Sequence, residues 1–240
     1  MWQELRERTA EANRRLAEWK LAPLTWGNVS GISPDRRVIA IKPSGVPYED
    51  LTADRIVLVD ASGGVVEGHL RPSSDTPTHW ALYQAFPAAG GVCHTHSRFA
   101  TVFAQLRRGL PCYGTTHADH FAGEVPVTRP LTPDEVSGDY EAATGRVIVE
   151  CFRRLGLDPA AVPGVLVAGH GPFVWGQDPL VAVENALALE EIAAMAWAMT
   201  AGGGPLTPLE DYVLRKHFER KHGPAAYYGQ SPGTVESSPA

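Results

Sequence analysis

The segment Gly91-Val92-Cys93-His94-Thr95-His96-Ser97 is a short apolar run that ends in two closely spaced histidines. Its length and its β-branched valine predict a buried strand. On a strand, residues i and i+2 project to the same face, so both imidazoles are expected to point into one space. This spacing suits a shared divalent metal, although a pair of hydrogen-bonded core or surface histidines gives the same pattern.

A second apolar run, residues 164–170, also ends in a histidine, His170. We predict that it is a strand and that His170 stands at its end. Three histidines with one open position are typical of a catalytic zinc ion, whereas structural zinc sites are closed by four protein ligands. The three histidines are therefore candidate ligands of one catalytic metal.

The composition is that of an ordinary globular protein. The 240 residues are 44% hydrophobic and 20% charged, which is enough apolar material to bury a full core. At this length the chain could be one large domain or two small ones, and no linker-like stretch divides it. Residues 231–240 contain too little apolar material to order themselves, and we expect them to form a disordered tail.

Charge and hydropathy exclude several classes of partner. The net charge is −6 and no basic patch dominates, which argues against nucleic acid or an anionic membrane surface as a partner. No apolar run approaches the length of a membrane span. The charged N-terminal residues do not resemble a signal peptide, and three scattered cysteines do not make a disulfide framework. The expected compartment is the cytoplasm.

Periodicity and turn residues divide the chain into strands flanked by helices. Besides the two histidine runs, strands are predicted at 38–41, 55–60, 65–69 and 173–175, with a loop or short strand at 25–31. Helices are predicted at about 2–19, 73–86, 98–107, 138–155, 179–200 and 207–222, and residues 109–133 are predicted to be a loop. Hairpins dominate the first half, so these elements indicate a layered α/β domain with a mostly antiparallel sheet.

Three loops rich in small polar residues accompany the histidines: Gly27-Asn28, Ser44-Gly45 with Lys42 before it, and Ser73-Ser74 at a predicted helix start. Glycine lets backbone N–H groups approach a ligand, and a helix N-terminus favours an anion. Together the loops suit a phosphate group. Each loop taken alone is better explained as a turn or a helix cap.

Several further residues have two interpretations each. Asp75 is either a first-turn acid that complements the helix dipole or a carboxylate beside the metal. His79, one turn later, is a packed helix residue or a partner of the site. Residues 115–120 gather His117, Asp119 and His120 in a predicted loop, and such loops often carry function.

Taken together, seven motifs resemble the ordered motifs of the class II aldolase/epimerase family, and above all its epimerase branch. These motifs are residues 27–31, 42–46, 71–75, 94–97, 114–119, 170–173 and 227–230. The resemblance implies that residues 1–230 form a single three-layer α/β/α domain with a central mostly antiparallel sheet. It also implies a homotetramer with active sites between subunits.

The resemblance assigns a role to each of these positions. It implies Zn²⁺, with Mn²⁺ or Co²⁺ as alternatives, bound by Asp75, His94, His96 and His170. It implies binding of a sugar phosphate by Gly27, Asn28, Lys42, Ser44, Gly45, Ser73 and Ser74. It implies Asp119 and Tyr228 as an acid/base pair, with Tyr228 supplied by a neighbouring chain. The roles of His79, His117, His120 and His217 stay open.

The implied reaction is the epimerisation of L-ribulose 5-phosphate to D-xylulose 5-phosphate at C4. The hydrogen on C4 is not acidic because C4 is not next to the carbonyl. Retro-aldol cleavage of the C3–C4 bond and re-addition to the other face of the aldehyde avoids that difficulty, with a metal as Lewis acid. Two alternatives remain: an aldolase of the same family that acts on fuculose- or rhamnulose-type phosphates, and a non-catalytic zinc-stabilised binding protein.

Overall fold

The computed structural model describes residues 2–203 and 206–229, and its centre is a seven-stranded antiparallel sheet. The strands are Asn28–Ile32 (β1), Val38–Ile41 (β2), Val57–Asp60 (β3), Val65–Glu67 (β4), Gly91–His94 (β5), Gly164–Leu166 (β6) and Pro172–Gly176 (β7). Their order across the sheet is β4-β3-β2-β1-β5-β7-β6. The expected tail, residues 231–240, lies outside the described residues.

Helices flank this sheet. They are Gln3–Glu18 (α1), Thr76–Ala85 (α2), Arg98–Gln105 (α3), Thr115–Ala118 (α4), Pro133–Ser137 (α5), Tyr140–Leu155 (α6), Pro179–Ala201 (α7) and Asp211–His222 (α8). No helix among the described residues is long and apolar enough to cross a membrane.

The helices form one layer on each face of the sheet. A Cβ at Gly31 of β1 would meet Leu5 of α1 and Pro179 of α7. Ser30, the preceding residue, instead contacts His79 of α2. Because successive strand residues point to opposite faces, α1 and α7 lie on one face and α2 on the other. The expected three-layer α/β/α architecture with an antiparallel sheet is therefore confirmed.

The core beneath α2 is closed by aromatic side chains from both layers. Trp175 of β7 packs against Phe86 at the end of α2 and Phe152 of α6, with ring centroids 4.8 and 5.2 Å apart. All three side chains are buried. Aromatic rings of this size bury 150–250 Å² each, so they dominate the contact that holds α2 against the sheet.

The structure corrects four of the predicted local elements. Residues 115–118 form the helical turn α4 rather than a loop, and α8 begins at Asp211 rather than near 207. Strand β5 ends at His94, so His96 lies beyond it. His170 lies in the turn between β6 and β7, where Val167 and Gly171 pair through their backbones. The apolar runs predicted both strands to be longer than they are, because apolar content does not show where hydrogen bonding between strands stops.

Candidate metal centre and substrate pocket

The three predicted histidines converge at the end of β5. Each of His94, His96 and His170 offers one ligand atom, and these atoms all lie within 4.8 Å of one another. The Nε2 atoms of His94 and His96 are 3.1 Å apart, and the ring of His170 lies 4.7 Å from that of His94. The group contains no other ligand among the described residues.

Hydrogen bonding determines which nitrogen of His94 is free. Its Nδ1 lies 2.9 Å from the carbonyl oxygen of Pro172. A carbonyl oxygen only accepts, so Nδ1 carries the hydrogen and Nε2 keeps its lone pair, directed at His96. Ligating histidines are usually oriented by a hydrogen bond of this kind at the other ring nitrogen. The donor set therefore fits a divalent metal.

Burial favours the neutral form of two of these imidazoles, His170 and His96. Burial lowers the pKa of His170 to about 4 and also lowers the pKa of His96. His94 is buried and stacks on Phe173, with ring centroids 4.1 Å apart and planes 14° apart. Since only a neutral imidazole can bind a metal, an apolar wall that disfavours the protonated form favours ligation at neutral pH.

Two glycines allow the histidine loops to approach each other. Gly27 has φ +81°, and a Cβ there would lie 2.6 Å from the carbonyl oxygen of His94. A Cβ at Gly171 would lie 2.6 Å from the carbonyl oxygen of Thr95. Both contacts are too short for any side chain, so the chain needs glycine at both positions to bring the histidines together.

Asp75 lies beside this group but is held by an amide. Its Oδ2 accepts a 2.7 Å hydrogen bond from Asn28, whose Nδ2 also lies 3.1 Å from Ser73 Oγ. Burial raises the pKa of Asp75, but His94, His79 and the Asn28 amide outweigh this effect and the pKa is lowered. The carboxylate is thus an anion facing the histidines, and its role as a ligand stays a prediction.

The loops expected to bind phosphate lie side by side. Pro43 and Pro72 form an isolated antiparallel bridge, and Ser44 N donates to Arg71 O at 2.9 Å. The side chains of Ser44 and Ser74 are exposed. Two loops separated by about thirty positions in the sequence therefore lie together, and each presents an exposed hydroxyl.

Lys42 is buried beneath these loops. Its Nζ lies 3.3 Å from the carbonyl oxygen of Pro43 and 5.0 Å from the centroid of the Tyr48 ring. Burial lowers its pKa to about 8. A buried ammonium with one long hydrogen bond is poorly compensated, so an anion placed next to it would be strongly attracted.

Asp119 is paired with α8. Arg220 donates to both of its carboxylate oxygens, at 2.7 and 3.1 Å, and His217 Nδ1 lies 3.0 Å from Oδ1. Burial raises the pKa of Asp119, but Arg220, His217 and Lys221 outweigh it and the pKa is lowered. Sequence reasoning missed Arg220, although its spacing from His217 on one helix face was visible.

Tyr228 shares the same arginine. Its side chain is 60% exposed, and the Arg220 guanidinium lies 4.9 Å from its ring centroid. Arg220 thus contacts both members of the expected acid/base pair. No hydrogen bond or ion pair joins them to the three histidines within residues 2–203 and 206–229, so the structure brings these two residues together without contact to the histidine group.

His117 has a structural role. Its Nε2 donates to the carbonyl oxygen of Gly123 at 2.7 Å, and burial lowers its pKa to about 4. It is a neutral side chain that holds a loop. Cys93 points to the opposite face from His94, and burial raises the pKa of its thiol.

A broad groove of about 1160 Å³ borders the histidine group. His96 lines one part of it, and Trp26 and Glu191 line others. Leu24 and Trp26 are 74% and 51% exposed along this groove, which is unusual for side chains of this size. The surface beside the candidate metal centre therefore exposes large apolar side chains, together with charged side chains of both signs.

Comparison with known proteins defines the class. The model of the Class II Aldolase and Adducin N-terminal domain matches residues 7–197. This chain belongs to the class II aldolase family, as its motifs indicated. The family is metal-dependent, and the three histidines form a group that could bind a metal ion.

Individual relatives and solved structures show which members of the family this chain is similar to. The chain is 51% identical to the L-ribulose-5-phosphate 4-epimerase UlaF of Salmonella paratyphi B (strain ATCC BAA-1250 / SPB7), over 95% of this chain and 99% of the relative. The protein of the same name from Salmonella typhi has the same identity and coverage. A solved structure titled L-fuculose 1-phosphate aldolase is 25% identical, with a TM-score of 0.75 over 90% of this chain and 95% of that one. YgbL of Escherichia coli, at 24% identity and a TM-score of 0.71 over 89% and 97%, shares the fold.

Proposed function

We propose that this protein interconverts L-ribulose 5-phosphate and D-xylulose 5-phosphate by inverting C4. The observation that carries the proposal is the convergence of His94, His96 and His170 in a class II aldolase fold. The relatives that are 51% identical over nearly the whole chain are named for this epimerase activity. In the proposed reaction the C3–C4 bond breaks and re-forms with the aldehyde turned over.

Zinc is the proposed metal. Three imidazoles and an open position suit zinc in a catalytic site, and imidazole also binds cobalt and, less tightly, manganese. A divalent cation held there supplies a Lewis acid for the carbonyl and hydroxyl oxygens at C2 and C3. Asp75 is proposed to complete the ligand set. Its anionic state and its position beside His94 support this role.

The phosphate of the substrate is proposed to bind across the paired loops. The exposed hydroxyls of Ser44 and Ser74 can donate to it, and the backbone at Gly45 has no heavy atom within 4 Å of a Cβ, so the approach is open. Lys42 contributes a poorly compensated positive charge. Gly27, Asn28 and Ser73 complete the predicted binding set, with the Asn28 amide linking the phosphate side to Asp75.

Proton transfer at the C4 hydroxyl needs two groups. Cleavage removes a proton from that hydroxyl and re-addition returns one to the oxygen on the opposite face. We propose Asp119 and Tyr228 for these tasks. The lowered pKa of Asp119 makes it an anion at neutral pH, able to accept a hydrogen bond, while the phenol of Tyr228 is exposed and free to enter a site.

A neighbouring chain is proposed to deliver these two residues. The groove beside His96 exposes Leu24 and Trp26, and its rim carries Glu191. The surface that bears Tyr228 is basic, because Lys216, Arg220 and Lys221 lie next to the two terminal tyrosines. A basic surface can pair with carboxylates such as Glu191, and a partner chain would cover the exposed Leu24 and Trp26, so we propose a homotetramer whose sites form between subunits. The proposed compartment is the cytoplasm, where sugar phosphates are made.

A coupled assay tests the activity. Purified protein with Zn²⁺ should convert L-ribulose 5-phosphate to D-xylulose 5-phosphate, and metal removal should stop the conversion. The aldolase alternative is supported by the structural relative titled L-fuculose 1-phosphate aldolase. It predicts release of free aldehyde during turnover, which an aldehyde-trapping reagent would detect. Aldehyde formed as fast as substrate is consumed would replace the epimerase proposal with the aldolase.

A further inference from the structure

Tyr48 is a buried tyrosine that contacts two of the segments proposed to bind the substrate phosphate. It begins a short 3-10 turn, Tyr48–Asp50, and is only 3% exposed. Its hydroxyl oxygen lies 2.6 Å from the carbonyl oxygen of Trp26 and 2.9 Å from that of Gly27. The face of its ring lies 5.0 Å from the Nζ atom of Lys42. One side chain thus touches both the Gly27 loop and Lys42.

The Tyr48 hydroxyl is the donor in both of its hydrogen bonds. Carbonyl oxygens only accept, and burial raises the pKa of Tyr48, so the phenol keeps its hydrogen. This single hydrogen is shared between two acceptors in a three-centre arrangement. The carbonyl groups of Trp26 and Gly27 must therefore both point towards Tyr48.

The backbone of Gly27 brings these two consecutive carbonyl groups to the same side. Its φ and ψ are the torsions between the two peptide planes, and φ is +81°, a conformation that glycine adopts without steric cost. In an extended strand, successive carbonyl groups would point in opposite directions. A trans peptide directs its N–H away from its carbonyl oxygen, so the N–H of Gly27 points away from Tyr48. Among the described residues this N–H has no backbone acceptor, which leaves it available to an anion.

The ring of Tyr48 stabilises the charge on Lys42. Lys42 is 2% exposed, and the one hydrogen bond of its Nζ within the described residues is the 3.3 Å contact with the Pro43 carbonyl oxygen. Burial lowers the pKa of Lys42 to about 8, so at neutral pH most molecules keep the positive charge. A cation within about 6 Å of an aromatic ring centroid is attracted by the face of the ring. Tyr48 therefore holds the ammonium group at a fixed position beneath the phosphate loops.

We propose that Tyr48 is a positioning residue for phosphate binding, whose hydroxyl fixes the Gly27 backbone while its ring holds the Lys42 ammonium. Two binding groups from separate segments are then in place before the substrate arrives. Such preorganisation raises affinity because less ordering has to occur on binding. The inference rests on the proposed phosphate-binding role of Gly27 and Lys42. Since the phosphate takes no part in breaking the C3–C4 bond, Tyr48 should affect binding and not the chemical step.

Two substitutions separate the effect of the hydroxyl from that of the ring. Tyr48→Phe removes the hydrogen bonds and keeps the ring, whereas Tyr48→Leu removes both. The probe is inorganic phosphate, titrated into the protein and followed by ³¹P NMR. We expect Tyr48→Phe to bind it about 2- to 10-fold more weakly, the change that corresponds to one hydrogen bond. Tyr48→Leu should weaken it by a further factor of about 2 to 10.

The matched control is Tyr83→Phe. Tyr83 is also buried, and its hydroxyl contacts Ser30, away from the phosphate loops. Both Tyr→Phe variants should melt at a lower temperature, but only Tyr48→Phe should lose phosphate affinity and raise KM at unchanged kcat. Phosphate affinity equal to that of the wild type in Tyr48→Phe would overturn the inference. A fall in kcat at constant KM would also overturn it.

A double-mutant cycle tests the action of the ring through Lys42. In the Lys42→Met background, Tyr48→Phe and Tyr48→Leu should bind phosphate equally well, because no ammonium is left for the ring to hold. The same difference between the two variants in both backgrounds would refute this role of the ring. Wild-type protein that binds no phosphate would overturn the phosphate site together with this inference. Weakened phosphate binding by Tyr48→Phe, in a protein whose wild type lacks epimerase activity, would refute the proposed function and support this inference.

Discussion

Asn28 lies directly opposite His94 in the antiparallel pairing of β1 with β5. Residues opposite each other in a ladder leave the same face of the sheet, so an amide from the loop side and an imidazole from the metal side enter one space. The same amide binds Asp75. This register links the proposed phosphate loops to the proposed metal ligands.

We expect His96→Asn to lose the metal while keeping the fold. His96 is exposed and lies beyond the end of β5, so its ring can be replaced without opening the core. Zinc content after dialysis, measured by mass spectrometry, should fall to the background level, and activity should be lost. His69→Asn, at another exposed histidine, is the control. Wild-type zinc content in His96→Asn would end its assignment as a ligand.

Gly27→Ala should damage the site through the backbone. The residue has φ +81°, and the added Cβ would lie 2.6 Å from His94 O. The matched control is Gly45→Ala, where φ is +71° but no atom lies within 4 Å. Both substitutions carry left-handed strain of about 1–3 kcal/mol. Gly27→Ala should lower the melting temperature more than Gly45→Ala does, and only Gly27→Ala should weaken zinc binding. Equal effects of the two substitutions would refute the close-packing argument.

Ser74→Ala and Ser44→Ala should chiefly raise KM. Both hydroxyls are exposed on adjacent loops and are proposed to bind the phosphate, an interaction equally strong in the ground state and the transition state. Steady-state kinetics with L-ribulose 5-phosphate should show little change in kcat. Ser62→Ala, in the β3–β4 turn, serves as the control. A large loss of kcat with KM unchanged would point to a role in the chemical step instead.

The stabilisation that Asp119 gains from its contacts with α8 should be lost at acid pH. Arg220, His217 and Lys221 lower the pKa of Asp119 in the folded protein below its ordinary value of 3.8. The ionised carboxylate therefore stabilises the fold above about pH 3.8, and this contribution is lost as pH falls through the lowered pKa. Urea unfolding of wild type and Asp119→Asn should show a gap in free energy that narrows at acid pH. A gap of constant size would contradict the ion-pair account.

Tyr228→Phe should lose most of the epimerisation, by about 10²–10⁴-fold for one acid–base group, and keep its zinc. If a neighbouring chain supplies Tyr228, mixing this variant with His96→Asn under subunit exchange should restore activity. Exchange is verified by native mass spectrometry. Continued inactivity of the exchanged mixture would place the whole site within one chain.

A second mixture locates Asp119. Since Arg220 contacts both Asp119 and Tyr228 of one chain, we expect the two residues to enter a site together. Asp119→Asn mixed with Tyr228→Phe should then stay inactive, because no chain in the mixture carries both groups. Recovered activity would show that the two residues come from different chains.

Local patterns in the sequence were sufficient for most of the secondary structure. The apolar periodicity of α1, α6 and α7 and the turn residues between β3 and β4 predicted these elements with nearly the observed bounds. Such signals are local, because helix and strand periods are read within one element. The sequence also indicated which histidines belong together, through motifs that carry the family resemblance.

Only the tertiary structure decided how those residues meet. His96 lies in the segment between β5 and α3, and His170 lies in the turn before β7. Both reach His94 because Gly27 and Gly171 let backbones approach more closely than a side chain would allow. Arg220 contacts Asp119, which is 101 positions away in the sequence, and Ser30 contacts His79, which is 49 positions away. Contacts over such separations depend on how layers pack and strands register, and no local period in the sequence encodes that information.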